Sequence, residues 1–221
     1  MSEKRSYGDS CGIARALDLV GERWALLVVR ELLLGPKRFT DLRAGLPNLS
    51  ADVLSQRLRD LERAGLVLRR KLPPPAGARV YELTPWGYEL EPVLLSLGRW
   101  GSRAPLAPDP PQLGVDALAV ALKTMFDPQA AQGVWAGYEL RMADHRFTAQ
   151  VADGSLELRR SECAAPDVVI ETDPRTLAAM LWHGLALEDA MTAGTLAFSG
   201  DRRALRRFLR LFPGSVPAAV G

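Results

Sequence analysis

The chain has 221 residues, 48% hydrophobic and 24% charged, enough for one large or two small globular domains with a buried core. No apolar run is long enough to span a bilayer, the first residues lack the apolar core of a signal peptide, and two distant cysteines make no disulfide framework, so a reducing cytoplasm is expected. The net charge of +2 hides an asymmetry: residues 1–105 carry 17 Lys+Arg against 12 Asp+Glu, and residues 106–221 carry 11 against 14, so the first half is expected to meet a polyanion and the second is not.

Ser10 to Val20 is predicted as a first helix, with Ile13, Ala16, Leu17 and Val20 on one stripe and Cys11 near its start. Glu22 to Leu34 follows as a helix apolar enough to be buried on most sides, ended by Gly35-Pro36. Arg38 to Ala44 is a short third helix carrying Phe39 and Leu42, and Gly45 to Asn48 is a turn. In the next stretch Leu54, Leu58 and Leu61 recur at helical spacing, with Asp52, Gln56, Arg59 and Arg63 roughly opposite. Ser50 suits its N-cap, and Gly65 its left-handed end. Short helix, turn and second helix is the helix-turn-helix order.

Val67 to Leu72 and Arg79 to Leu83 read as two strands around the loop Pro73 to Ala78, with Arg69, Arg70, Lys71 and Arg79 available to phosphates. A solvated edge hairpin carries the same charges. Thr84 caps a helix opened by Pro85 and running from Trp86 to about Trp100. Its Leu90, Val93, Leu94, Leu97 and Trp100 offer more apolar surface than one small domain needs, so a second subunit is expected there. A dimer sets two recognition helices about 34 Å apart, one turn of DNA.

The order Cys11, GERWALLVVRELLLGPKRFTDL, LSADVLSQRLRDLERAGLVLR and YELTPWGYELEPVLLSLGRW resembles the HxlR family of winged-helix regulators, relatives of the MarR type, over Ser10 to Trp100. The resemblance implies a homodimer on palindromic double-stranded DNA, with the second helix of the motif in the major groove. Base-reading candidates are then Ser50, Asp52, Ser55, Gln56 and Arg59, since Gln suits adenine and Arg guanine. Arg38 and the hairpin cations are phosphate candidates. Asp52 either offsets the helix dipole or accepts from a cytosine amine. Cys11 matches a position at which some members sense oxidants or aldehydes through a thiolate; a small packing residue is the alternative.

Arg103 to Leu113 is too proline-rich for helix or central strand and reads as a linker. Beyond it the expected order is a helix from Val115 to Phe126, strands over 134–142, 146–151, 156–160 and 168–170, helices from Asp173-Pro174 and over 185–192, a strand over 195–198, and a helix capped by Asp201 and running to Phe212. Asp153-Gly154 signals a hairpin. The expected fold is an antiparallel sheet with helices on one side. The FTAQVADGSLELRR hairpin, PDVVIETDPRTLAAML and DAMTAGTLAFSGDRRALRRFLRLF resemble the sterol carrier protein, or lipid-transfer, domain over about Val115 to Phe212. That resemblance implies a tunnel for a fatty acyl, sterol-like or other apolar ligand, with Trp135, Phe147, Met180, Trp182, Met191, Phe198 and Phe208 as wall candidates; a filled core is the alternative. Arg202, Arg203, Arg206, Arg207 and Arg210 give the last helix a basic face, read as solvated, with a membrane surface or DNA as other partners.

His145 and His183 have no partners at metal-ligand spacing, Ser155 and Ser199 lack a nucleophile elbow, and no phosphate-cradling loop is present, so neither enzyme activity nor a metal or cofactor is expected. The sequence predicts an α+β protein: a winged helix-turn-helix over 1–102, a linker over 103–113 and a sterol carrier-like domain over 114–221. The expected function is DNA-binding regulation, modulated by an apolar small molecule. The alternatives are a lipid carrier whose winged helix serves protein contacts, or a thiol sensor acting through Cys11.

Overall fold

The computed structural model describes residues 6–73, 77–105 and 113–215. Pro74 to Ala76 of the hairpin loop, residues 106–112 of the linker, and Lys4 and Arg5 near Cys11 lie outside the described residues. The chain divides into two compact units, Met1–Leu94 and Leu95–Gly221.

The first unit begins with α1 (Gly12–Val20) and α2 (Ala25–Leu32). The expected start of the second helix at Glu22 moves to Ala25, because Trp24 sits in the left-handed region at φ 78° and breaks the helical run. The helix is buried as read, yet it carries Glu31 at 1% exposure. That carboxylate accepts from Lys37 Nζ at 2.6 Å and Arg30 Nη2 at 2.8 Å, so the buried charge is paired. α3 (Phe39–Gly45) ends against it: a Cβ on Gly45 would run into the Glu31 carboxylate, which would have to shift from its partners to make room.

α4 (Ala51–Arg63) buries Leu54, Leu58 and Leu61, the predicted stripe. Gly65 stops it at φ +73°, and the Leu66 amide reaches back to the Leu61 carbonyl at 3.0 Å. β1 (Val67–Lys71) then pairs antiparallel with β2 (Arg79–Leu83), Val67 opposite Leu83. Lys37 adds one rung by exchanging backbone bonds of 2.9 and 2.8 Å with Tyr81.

Thr84 caps as expected, accepting from Gly87 N–H at 3.0 Å. The single helix predicted from Trp86 to Trp100 is two, α5 (Pro85–Tyr88) and α6 (Glu91–Gly101). Pro92 explains the correction: it lacks an N–H and is tolerated only in a first turn, so the helix restarts just before it. The division between the units falls within α6.

The second unit opens with α7 (Val115–Met125). Its sheet holds β3 (Trp135–Met142), β4 (His145–Ala152), β5 (Ser155–Arg159), β6 (Val168–Thr172) and β7 (Leu196–Gly200), in the order β5-β4-β3-β6-β7. Asp153 and Gly154, both at positive φ (43° and 82°), turn β4 into β5. The sheet departs from the expected all-antiparallel form at one pair: β6 runs parallel to β3, Tyr138 opposite Val168. Residues 160–167 make this possible by crossing the sheet instead of turning back at its edge. The Cys163 amide donates to Glu139 Oε2 at 2.9 Å, and Gly137 exchanges bonds of 2.7 and 2.8 Å with Asp167.

Tyr138, Leu140, Phe147, Val151, Val168 and Ile170 are buried on the opposite face. There the sheet meets α7 and α10 (Arg202–Arg210), with α8 (Pro174–Trp182) packed on both helices; the short α9 (Leu187–Thr192) lies beside β7. Tyr138 packs on Phe208 with ring centroids 4.9 Å apart. The buried Asp116 of α7 pairs with Arg160, whose guanidinium also covers the Phe147 ring at 4.8 Å. Among the described residues no helix is long and apolar enough to cross a membrane.

Candidate nucleic-acid interface

The outer face of α4 is set by its leucines: with Leu54, Leu58 and Leu61 inward, Asp52, Gln56, Arg59 and Arg63 share the other side. Ser50 is the N-cap and accepts from Val53 N–H at 3.4 Å. Asp52 is exposed in the first turn, near the positive end of the helix. Ser55 and Gln56 are half-buried and Arg59 is exposed.

These groups are tied to one another. Arg59 Nη2 donates to Gln56 Oε1 at 2.7 Å, and Gln56 Nε2 donates to Asp60 Oδ1 at 2.9 Å. Asp60 also pairs with Arg63, and with Arg57 at 3.2 Å; Arg57 reaches Glu22 at 3.2 Å as well. Asp60 is therefore the hub of the face. It was missed as a functional residue in sequence, although its spacing of four from Gln56 and three from Arg63 signals the contacts. Both ends of the Gln56 amide are occupied, so reading a base edge requires an exchange of partners.

The hairpin cations differ among themselves. Arg70 is neutralised by Glu82 at 2.6 Å, and Arg69 lies over the Tyr81 ring at 5.6 Å. Lys71 and Arg79 face each other in register at the base of the loop, exposed, with no ion pair among the described residues. Arg38 is exposed just before α3, its backbone N–H held by Asp41 at 3.1 Å. These groups present donors and positive charge beside an exposed helix, an arrangement able to grip phosphates around a groove.

Cys11 is a free, exposed thiol at the N-cap of α1, with its amide donating to Asp9 Oδ1 at 2.8 Å. Exposed apolar side chains gather on α1 and α6: Ile13 at 73% and Leu17 on the first, Val93, Leu97 and Trp100 on the second.

The seven ligand-wall candidates do not stand together. Phe147 and Phe208 are fully buried, and Met180, Trp182 and Phe198 half-buried. Trp135, 72% exposed, does not join the wall: strand alternation puts it with Gly137 and Glu139 on the face away from the helices. Met191 is exposed on α9. Two open clefts in this unit have other linings. One of about 420 Å³ is bounded by Arg99, Arg103, Met125, Phe126 and the Pro213–Ser215 segment, and one of about 370 Å³ lies between the 160–167 crossing and the sheet. The interior does hold two polar atoms without a partner among the described residues, the Tyr138 hydroxyl and Trp182 Nε1. Burial pushes the Tyr138 phenol up, with Arg207 acting against it. Among the described residues no three of His, Cys, Asp and Glu are placed to hold a metal ion.

Residues 19–106 match the HxlR-like helix-turn-helix family, and residues 102–217 match the alkyl sulfatase C-terminal family. The HTH-type transcriptional regulator YvaP of Bacillus subtilis is 41% identical over 88 residues, 40% of this chain and 82% of that one. Among solved structures, the reduced form of the regulator YodB from B. subtilis is 32% identical over 43% of this chain and 94% of its own, with a TM-score of 0.39. The inverting sec-alkylsulfatase Pisa1 from Pseudomonas sp. is 25% identical over 44% of this chain, also with a TM-score of 0.39; the match spans 15% of that enzyme's length.

Proposed function

Because the chain belongs to the HxlR-like helix-turn-helix family in its first half and to the alkyl sulfatase C-terminal family in its second, we propose that it is a transcriptional regulator working as a homodimer on palindromic operator DNA, with its second half binding an apolar small molecule. The observation that carries this reading is α4: a capped helix with a Ser-Gln-Arg face turned outward, followed at once by a hairpin whose Lys71 and Arg79, at the base of its loop, have no ion pair among the described residues. Gln56 and Arg59 read bases once they release each other, and Lys71, Arg79 and Arg38 hold phosphates. Ile13, Leu17 and Val93, exposed on the first unit, supply apolar surface for the dimer. The ligand's polar end meets the Tyr138 hydroxyl or Trp182 Nε1, since an orphaned interior donor is costly until it finds a partner. Ligand shifts DNA affinity only through a difference in its own affinity for the two states of the protein. On this reading the protein works in the cytoplasm and is not an enzyme.

The test is DNA binding by Gln56→Ala and Arg59→Ala. Each is expected to cost about 1–3 kcal/mol on the operator. No change on any duplex favours a lipid carrier whose winged helix serves protein contacts. Native mass spectrometry before and after organic extraction then reads both subunit number and bound ligand. A clean monomer removes the dimer and leaves the ligand without support.

A second reading rests on Cys11, an exposed thiol at a helix N-terminus. Cys11→Ser is expected to abolish any response of DNA binding to diamide; a response that survives the substitution ends this reading.

A further inference from the structure

Eleven Lys+Arg are spread over residues 106–221, and five of them stand within the nine residues of α10. The structure sorts these five into two sets. Glu188 Oε1 of α9 accepts from Arg202 Nη2 at 3.0 Å and from Arg206 Nη2 at 3.2 Å. Its own backbone N–H and these arginines hold the Glu188 carboxyl below the usual range. Arg203, Arg207 and Arg210 are exposed and have no ion pair among the described residues. Spaced by four and then three, they form one stripe along the helix, about 10 Å long at 1.5 Å per residue.

The other face of α10 decides what this stripe can meet. Ala204, Leu205 and Phe208 are buried, and Leu211 and Phe212 just beyond are buried too. Phe208 is held between Tyr138 at 4.9 Å and Phe212 at 5.0 Å. A helix that lies in a membrane interface inserts its apolar face between the lipids. α10 has already committed that face to the core, which leaves a row of guanidinium groups on a fixed backbone. Such groups pair with phosphate oxygens through two parallel hydrogen bonds.

We propose that Arg203, Arg207 and Arg210 form a second phosphate-binding surface, occupied by the backbone of duplex DNA without regard to sequence. The stripe matches about three axial phosphate steps of one strand, at 3.4 Å each. It rests on the reading that the first half binds DNA, which supplies the polyanion. It also revises the expectation drawn from half-by-half net charge, because clustering three open cations on one helix matters more locally than an acidic total.

The experiment measures binding of the full chain to a random-sequence duplex of about 40 base pairs, by fluorescence anisotropy, across about 50–200 mM salt. The triple variant R203A/R207A/R210A is expected to reduce the slope of log affinity against log salt by about 2.7, an advantage for the parent protein that shrinks about fortyfold across that range. R203K/R207K/R210K keeps the charges and is expected to keep the slope. A thermal melt by circular dichroism, unchanged from the parent, establishes that the alanine variant is folded. If the alanine variant keeps the parent slope while Q56A/R59A loses affinity, the second surface is overturned and the helix-turn-helix reading stands. If the parent chain binds no duplex, both fall. If the parent instead floats with phosphatidylglycerol vesicles and the alanine variant does not, while DNA slopes agree, the stripe belongs to a membrane and the proposal is overturned.

Discussion

α4 and α10 are built alike and differ in how their charges are held. Each starts at a side-chain cap, Ser50 or Asp201, and each buries its apolar stripe in the core of its own unit. On α4 the arginines are bound inward: Arg57 and Arg63 to Asp60, and Arg59 to Gln56. On α10 two arginines are bound to Glu188 and three have no ion pair among the described residues. A face whose donors already hold one another must break bonds to bind, so only a partner with matching groups repays the exchange. An open row of cations asks nothing of its partner beyond negative charge. The first arrangement suits discrimination and the second suits attraction.

The likeness of the two anchors is the part of the comparison with the largest expected effect. Phe208→Ala is expected to cost about 3–5 kcal/mol of stability and Leu58→Ala about 2–5, read by urea unfolding; a small loss at either site means that helix is not fixed by its apolar face. The caps come next. Ser50→Ala and Asp201→Ala are each expected to cost about 1 kcal/mol. A much smaller loss at Ser50 would fit its long 3.4 Å bond, against 2.7 Å from the Arg203 amide to Asp201.

Acid separates the units in another way. Glu139 is 3% exposed, and burial alone would raise its carboxyl. Bonds from Arg141 and the Cys163 amide outweigh that and hold it below the ordinary value. A carboxylate lowered by folding stabilises above its unfolded pKa, and that contribution is lost as pH falls through the lower folded value. Glu139→Gln is therefore expected to flatten the loss of stability of the second unit below about pH 4.3, followed by tyrosine and tryptophan fluorescence; an unchanged acid slope removes Glu139 as a contributor. The smallest effects belong to the surface pairs. Asp60→Asn breaks pairs along one helix worth about 0.2–0.5 kcal/mol each, and Glu188→Gln breaks fully exposed pairs with Arg202 and Arg206. Their sharper readout is the salt slope on DNA, expected to steepen in both as arginines are released.

Much of this was legible in the sequence because local rules fixed it. The caps at Ser50, Thr84 and Asp201, the left-handed end at Gly65 and the Asp153-Gly154 turn fall where the residues predicted. What escaped depends on distant partners or on one residue overriding a pattern. Pro92 split a helix whose apolar spacing runs on unbroken. The burial of Glu31 within an apolar helix rests on Lys37, which the fold brings back against it, and on Arg30 beside it. The direction of β6 hung on a loop crossing the sheet, for which residues 160–167 give no local signal. In the candidate interface the outward positions were readable from the leucine stripe, but not that Gln56 and Arg59 bond to each other. For the ligand wall, residue type named aromatic candidates and strand alternation moved Trp135 to the other side.

The parallel pairing of β3 with β6 bears on how the chain is made. Tyr138 and Val168 are thirty residues apart, and β7, at 196–200, must arrive before β6 gains its outer neighbour. The first unit closes through neighbours in sequence, a helix run and a hairpin. Non-local closure is slower than local closure, and domains emerge from the ribosome in order. The DNA-binding half is thus expected to be formed while the sheet still waits for its last strand. For that interval the nascent protein has the means to find nucleic acid before it has completed the part proposed to govern it.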